Sequence, residues 1–441
     1  MAKDTPISYR SLVFYQVYVR NHSPAGNFAG VEADLERIHS LSVDVVYLLP
    51  IHPIGKIARK GRLGSPYSIV DYRAINPEYG TLDDFQRLVA RIHGLGMKVM
   101  IDEVYNHTAH DSVLVEQHPE WFHQDEHGNP VTTVPEWSDV IDLKHPNHEL
   151  WAYLIDSMLY WIEHGVDGFR CDVASLVPLE FWEQARAAVA EVTPGVIWLA
   201  EAVHPSWVTE RRDNGLFALS DSELYQAFDI LYAYDVYPAW QHAVKGDAPV
   251  RLYLDMLRFQ DGIFPKNYMK LRYVENHDTP RVMGFAPSRD QALAWTAFSA
   301  FNKGPFFIYG GQESGAVQRP SLFDIDKVDW SDYGLQDFIT RLAKMKKHPA
   351  MLGQLLFLES EPVLKACWFH AENSLFGVFN PVGIQGETRV PLDDGDYLDL
   401  ISGNTVRVTN QRLAIPASAC ILTCSLQDQP VPYLSPVMSG Y

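Results

Sequence analysis

Only four cysteines occur in 441 residues, Cys171, Cys367, Cys420 and Cys424. They are scattered and lack the CxxC spacing of a metal site, so neither a disulfide framework nor a zinc centre is expected, and a reducing compartment fits. Basic residues are also scarce. Against 55 Asp plus Glu stand 36 Lys plus Arg, a formal charge of −19. Such a field repels polyanions, which argues against nucleic acid as a partner. Long apolar runs are missing: no stretch approaches the roughly 18 residues a spanning helix needs, so no membrane role is expected. The N-terminal MAKDTPISYRSLVFYQVYVR has no apolar core ahead of a small-residue cleavage site, so no signal peptide is expected and a cytoplasmic protein is the expectation. Internal repeats and low-complexity tracts are absent too.

What is there is enough to fold. With 47% hydrophobic and 21% charged residues, the chain falls in the soluble globular class and can bury a large core. Short apolar runs rich in β-branched and aromatic residues alternate with longer amphipathic stretches, the pattern of repeated βα units. Eight runs qualify as strands: those starting at Val13, Val43, Met97, Val166, Val196, Gln226, Leu271 and Pro305. Eight is the count of a closed parallel (β/α)8 TIM barrel. Between them, TLDDFQRLVARIHGLG reads as a helix with Thr81 as N-cap, Asp84 completing a capping box and Gly94 or Gly96 as the stop. A second helix is expected over ELWAYLIDSMLYWIEHG, with apolar residues three and four apart.

Two segments break this rhythm. Residues 108–148 lack periodicity and read as a short inserted domain after the third strand, since a loop that long in a compact fold is usually functional. After Pro349 come short strands separated by Gly, Asn and Asp, such as LFGVFN, TRVPL, YLDLI, TVRVT and ACILTC. They predict a C-terminal antiparallel β-sandwich over 350–441, behind a catalytic barrel over 1–349.

Four acidic patches stand at the ends of β-like runs: VMIDEVYNH with Asp102, GFRCDV with Asp172, WLAEA with Glu201 and VENHD with Asp278. In a parallel barrel, the C-terminal strand ends converge on one pocket. Cleaving a glycosidic bond takes one carboxylic acid to protonate the leaving oxygen and one carboxylate to attack or to activate water. Arg170 and Asp172 lie two apart on a strand and share a face, so the guanidinium is expected to favour the ionised carboxylate. Glu201 follows the apolar VIWLA, an approach suited to an acid whose pKa must rise. Taken singly, each strand-end acid is more often a helix cap or a solvated loop residue.

Together the four patches, in this order, resemble the signature regions of the α-amylase family of glycoside hydrolases, family thirteen. The resemblance implies Asp172 as nucleophile, Glu201 as general acid/base and Asp278 as the carboxylate that stabilises the transition state. It implies His107 and His277 as ligands of the same sugar ring, with Arg170 and Asp102 orienting the nucleophile. GSPYSIVDYRAINPEYGT is similar to the family's tyrosine segment and makes Tyr67 a stacking platform. His204 resembles a substrate-binding histidine of the maltogenic branches, and the DVA beginning at Asp172 is similar to the maltogenic, cyclodextrin-degrading and neopullulanase branches.

Departures accompany the likeness. Ser175 and Leu176 stand where many secreted relatives carry a Lys-His pair that serves the leaving-group side and calcium. Asn106 resembles a family calcium ligand, and Asp139 or Asp142 would add oxygens, but a hard cation takes six to eight, so no cofactor is expected to be required. The N-terminal β domain through which the maltogenic branches dimerise is not expected either, which leaves a monomer or weak homo-oligomer. The implied partner is an α-1,4-linked glucan or malto-oligosaccharide, hydrolysed with retention. The rival readings are a transglycosylase or cyclomaltodextrinase-type relative, a silent glucan-binding protein, and a metal-dependent hydrolase built on Asp102 and His107. Tyr232, Tyr234, Tyr237 and Trp240 fit either glucose stacking or helix packing.

Overall fold

The computed structural model describes residues 4–358 and 363–424. Eight parallel strands form one sheet: Val13–Val17, Val45–Leu48, Lys98–Glu103, Gly168–Cys171, Ile197–Ala200, Ile230–Tyr232, Lys270–Leu271 and Phe306–Tyr309. The last pairs with the first, Val13 opposite Phe306, and a parallel bridge from Arg272 to Phe306 closes the circle. This is a TIM barrel. Apart from Lys98 its strand residues are buried, because helices cover the outer face, which is why the strands read as continuous apolar runs rather than alternating ones.

Two strands lie elsewhere than the sequence pattern places them. The sixth is expected from Gln226 but begins at Ile230. Ser220 and Glu223 form a capping box that starts a helical turn at Asp221, and the amides of Ala227 and Phe228 still bond back to Leu224 O. Local capping therefore consumes Gln226 and Ala227. The seventh is expected to run through Asn276 yet spans only Lys270–Leu271, with a single further bridge at Arg272. Beyond it, the Glu275 carboxylate accepts from Arg281 Nη1 at 2.7 Å and Val282 N at 2.8 Å, folding the chain into a loop.

The helix expectations are met where local chemistry is strong. Leu82–Gly94 begins at Thr81, with both halves of the capping box to Asp84 in place, and Gly96 takes the positive φ that stops it. His148–Glu163 is capped by Asn147. Within 108–148, His107–Thr108 pairs antiparallel with Ile141–Asp142, and a short helix, Val113–Gln117, follows. The far end of this excursion is tied down by His145, whose Nδ1 accepts from Trp151 Nε1 at 2.9 Å while Nε2 donates to Tyr105 O at 2.9 Å. Both ring nitrogens are committed in the neutral form, and burial pushes the pKa down to about 4. A histidine neutral in the folded chain and near 6.5 in the unfolded one contributes stability above pH 6.5 that drains as the pH falls toward 4. Denaturant titrations between pH 7 and 5 should show the unfolding free energy falling, and His145→Gln should flatten that slope. A slope unchanged by the substitution would remove His145 as its cause.

The C-terminal strands form a four-stranded antiparallel sheet, Gln354–Leu358, Leu364–His370, Asn373–Phe379 and Ala419–Cys424, beside two smaller two-stranded sheets. Side-chain alternation assigns its faces. Leu364, Ala366, Trp368, Leu375 and Phe379 join the core of the barrel, where Trp368 Nε1 donates to Phe301 O at 2.6 Å. Cys367, Phe376 and Val378 turn the other way and pack with Leu413 of a smaller sheet and with Val390 and Leu392, which follow its other strand. Residues 425–441 of the expected C-terminal domain lie outside the described residues. No helix among those described is long and apolar enough to cross a membrane.

Candidate active site

The barrel register brings the acids together. Asp102 sits opposite Arg170 across neighbouring strands; Asp172 N bonds to Glu103 O and Glu201 N to Cys171 O. Each ladder thus continues just past the strand, leaving Asp172 and Glu201 at the same rim. Arg170, fully buried, is the hub. Its Nη1 lies 2.7 Å from Asp102 Oδ1 and 2.8 Å from Asp172 Oδ1, and its Nη2 lies 2.9 Å from Glu201 Oε1. The guanidinium is flanked by the rings of Tyr67 and Tyr232, 5.4 and 5.5 Å away. One cation therefore serves three carboxylates.

The rest of the arrangement is directional. Asp102 Oδ2 accepts from Tyr47 Oη at 2.6 Å and Tyr67 Oη at 2.9 Å, so its lone pairs are spent on holding Arg170 and Tyr67 in place. Tyr67 Oη also meets His277 Nε2 at 2.6 Å, with the two rings stacked at 5.5 Å. With the Tyr67 proton on Asp102, His277 Nε2 must donate, and its Nδ1 accepts from Gln16 Nε2 at 3.0 Å. The same Nε2 lies 3.0 Å from Asp278 Oδ2, whose side chain is 42% open to the cavity. Burial works against the Asp278 carboxylate, but His277 and the nearby guanidinium hold its pKa below the ordinary value.

Asp172 differs from the sequence expectation. Burial raises its pKa well above the carboxylate range, and the neighbouring charges of Glu201 and Asp102 add to that, so Arg170 lowers it without winning. Burial raises Glu201 as well, again opposed by Arg170. Glu201 Oε2 accepts from the amide of Val173 at 2.8 Å. That amide is aimed by an unusual backbone: Val173 is left-handed, φ 33° and ψ 46°. A β-branched residue there costs on the order of 1–3 kcal/mol, the kind of strain found where a site requires it.

His107 Nε2 stands 3.9 Å from Asp172 Oδ2, and burial pushes its pKa down to about 4, so it meets the cavity as a neutral ring. A cavity of about 310 Å³ is lined by Tyr67, His107, Asp172, Glu201 and Asp278, with Lys60, Ser65, Trp137, Asp139, Val140, Val173 and Phe323 completing its wall. His204 stands back from this wall. It sits at the N-cap of the helix Pro205–Asp213 with its ring against Tyr234 at 5.1 Å. Tyr234, Tyr237 and Trp240 are buried in the main core, which resolves them as packing, and Tyr232 lies under Arg170. Cys171 is fully buried and its thiol is pushed well up.

The Asp142 and Asp139 carboxylates offered to calcium already have partners. The Asp142 carboxylate accepts from Thr133 N and Oγ1 at 2.7 and 2.6 Å and from Thr132 Oγ1 at 3.2 Å. Asp139 pairs with Lys60 Nζ at 2.8 Å, and the Asn106 amide nitrogen faces His107 Nδ1 at 3.2 Å. Among the described residues no group of three or more His, Cys, Asp or Glu is placed to hold a metal ion. Tyr47, Gln16, Lys60 and Trp137 are site residues that the motifs do not mark. Of these, only Tyr47 and Gln16 carry a signal, as polar groups inside otherwise apolar strand runs.

Comparison with known proteins decides the family. The model of the alpha amylase catalytic domain matches residues 14–139 and 134–348, and that of the bacterial alpha amylase C-terminal domain matches residues 357–422. The chain belongs to the α-amylase family. An α-amylase from Lactobacillus plantarum superposes with a TM-score of 0.92 at 43% identity, over 95% of this chain and 100% of that one. A maltogenic α-amylase from Thermotoga neapolitana follows with a TM-score of 0.84 at 35% identity, over 95% and 100%. A curated α-1,4-glucan:maltose-1-phosphate maltosyltransferase from Rhodospirillum rubrum is 38% identical over 197 residues, 40% of this chain but 28% of that relative's length. The chain thus spans only about a third of the curated relatives first matched. As an α-amylase-family member it joins a group of glycoside hydrolases and transferases.

Proposed function

We propose that this protein is a retaining α-glucosidic hydrolase acting on α-1,4-linked glucans or malto-oligosaccharides by double displacement. The observation that carries the reading is the pair of carboxylates, Asp172 and Glu201, held on adjacent nitrogens of one buried guanidinium inside a cavity that also presents Asp278 and the Tyr67–His277 stack. Asp172 attacks the anomeric carbon as Glu201 gives its proton to the leaving oxygen, forming a glycosyl ester. Water then attacks that carbon, its proton passing to Glu201, and Asp172 leaves as carboxylate. Asp278 and His107 hold the sugar hydroxyls as charge develops on the ring. The reaction needs no cofactor. Four free cysteines support a reducing compartment.

The second reading, transfer to a sugar hydroxyl, is favoured by the maltosyltransferase names of the curated relatives. A product time course from maltotriose, maltoheptaose, cyclodextrin and pullulan, run with a chelator present, separates the two. Shortened products with retained anomeric configuration are expected. Abundant chains longer than the input would assign transferase activity, and activity lost to the chelator would contradict the cofactor-free reading.

A further inference from the structure

Outside the catalytic cavity, the helix Val250–Ile263 leaves an apolar face uncovered. It buries Tyr253, Leu254 and Leu257 in the barrel core, yet Leu252, Phe259 and Ile263 are 50, 65 and 46% exposed, and Met256 among them is half-buried. Phe259 is the most exposed large apolar side chain among the described residues. Spacings of four, three and four place these four side chains on one stripe along the helix. Single exposed apolar residues are ordinary, but a row of them on one element marks a contact surface.

The two flanks of the stripe differ. On one side lies a cavity of about 380 Å³ between this helix and the helix Pro205–Asp213, with Pro205, Val208, Met256, Phe259 and Ile263 in its wall. On the other stand Arg251, Asp255 and Arg258, where Asp255 lies 3.6 Å from Arg251 Nε and 3.0 Å from Arg258 Nη1. Gly262 shares that flank, and a Cβ placed on it would meet nothing within 4 Å, so the helix backbone is open to close approach. The flank carries two cations and one anion. A chain of formal charge −19 therefore presents here a face that a second copy approaches without like-charge repulsion.

We infer that this helix face is the interface of a two-fold homodimer, in which the helix of a second copy lies antiparallel on the first. The row is symmetric about its own middle: a two-fold axis between Met256 and Phe259 sets Leu252 against the partner's Ile263 and Met256 against the partner's Phe259. Every contact of such an isologous interface occurs twice. Antiparallel helices related in this way bring like flanks together, so Asp255 comes opposite the partner's Arg258 and Arg258 opposite the partner's Asp255. The partner's Phe259, lying over Met256, covers the mouth of the cavity. The apolar row supplies the attraction, and the exposed ion pairs fix the register. One helix per subunit is a small contact, so the dimer is reversible, with a Kd of about 10–100 μM.

Sedimentation velocity of the full chain from about 1 to about 300 μM tests this, a range that spans the expected Kd. The native chain should pass from monomer to dimer. Phe259→Asp should weaken dimerisation at least about tenfold, at an unchanged thermal midpoint because the side chain it replaces is exposed. Asp255→Arg sets cation against cation across the two-fold and Arg258→Asp sets anion against anion, so each alone should weaken the dimer. An equimolar mixture of those two variants should dimerise more tightly than either, since every pair in the mixed dimer is again of opposite sign. A native chain that stays monomeric throughout would overturn the dimer, and its sedimenting with phosphatidylcholine vesicles instead would give the face to a lipid surface. A dimer untouched by Phe259→Asp would overturn this interface in favour of another. A mixture no tighter than its components would overturn the antiparallel pairing.

Discussion

Asp172→Asn is expected to abolish turnover on every α-glucan, by about 10⁴-fold or more, a barrier increase of at least roughly 5 kcal/mol. The asparagine fills the same volume and its amide oxygen still accepts from Arg170 Nη1, now 2.8 Å from Asp172 Oδ1. What is lost is the carboxylate that forms the ester, and no nearby group replaces it: Asp102 is saturated by Arg170, Tyr47 and Tyr67. The thermal midpoint should hold or rise, because an uncharged amide replaces a carboxylate that burial already disfavours. Initial rates and a melting curve measured on one preparation check both halves. Retention of more than a few per cent of activity would contradict the nucleophile assignment.

For Glu201→Gln the expected loss is about 10²–10⁴-fold on malto-oligosaccharides, the range general acid–base catalysis supplies. With α-maltosyl fluoride the first step needs no proton, so the loss should shrink and glycosyl-enzyme should accumulate, visible as added mass on the intact chain. The sign of the pH effect also follows. Activity fails at high pH when Glu201 gives up its proton, and burial has moved that event upward; with glutamine in its place the alkaline limb of kcat/KM should disappear while the acid limb persists. Equal losses on both substrates, or an intact alkaline limb, would move the acid/base role to another residue. Glutamine can keep the hydrogen bond from Val173 N but loses the ion pair with Arg170 Nη2.

How much of this was legible depended on whether the signal was local. The strand ends carrying Asp102, Asp172 and Glu201 stood out because apolar runs buried on both faces precede them. Thr81 and Asp84 announced their helix by hydrogen-bonding chemistry confined to four residues. The sixth strand was displaced because an equally local cap at Ser220 competed with a weak apolar run. His204 resembles a site residue by position, and its ring lies against Tyr234. Trp137 and Trp207, whose rings meet edge to face at 5.7 Å, were illegible for a different reason. They lie seventy residues apart in chain order, and only folding of the insertion against the segment after Glu201 gives them a shared edge. Nor does any sequence pattern foretell that Val173 takes a left-handed backbone, since a β-branched side chain argues against it.

Arg170's position among the acids has one further implication. A single guanidinium faces Asp102, Asp172 and Glu201, with Asp278 across the cavity, so carboxyl groups outnumber cations around the bond to be cut. A resting sugar is neutral and gains little from that field. Its anomeric carbon becomes cationic only as the bond stretches, and the attraction then grows most at the crest of the reaction. The site is thus better matched to a fleeting cation than to a resting sugar, and a protonated ring nitrogen in place of that carbon would be held as a stable imitation of it.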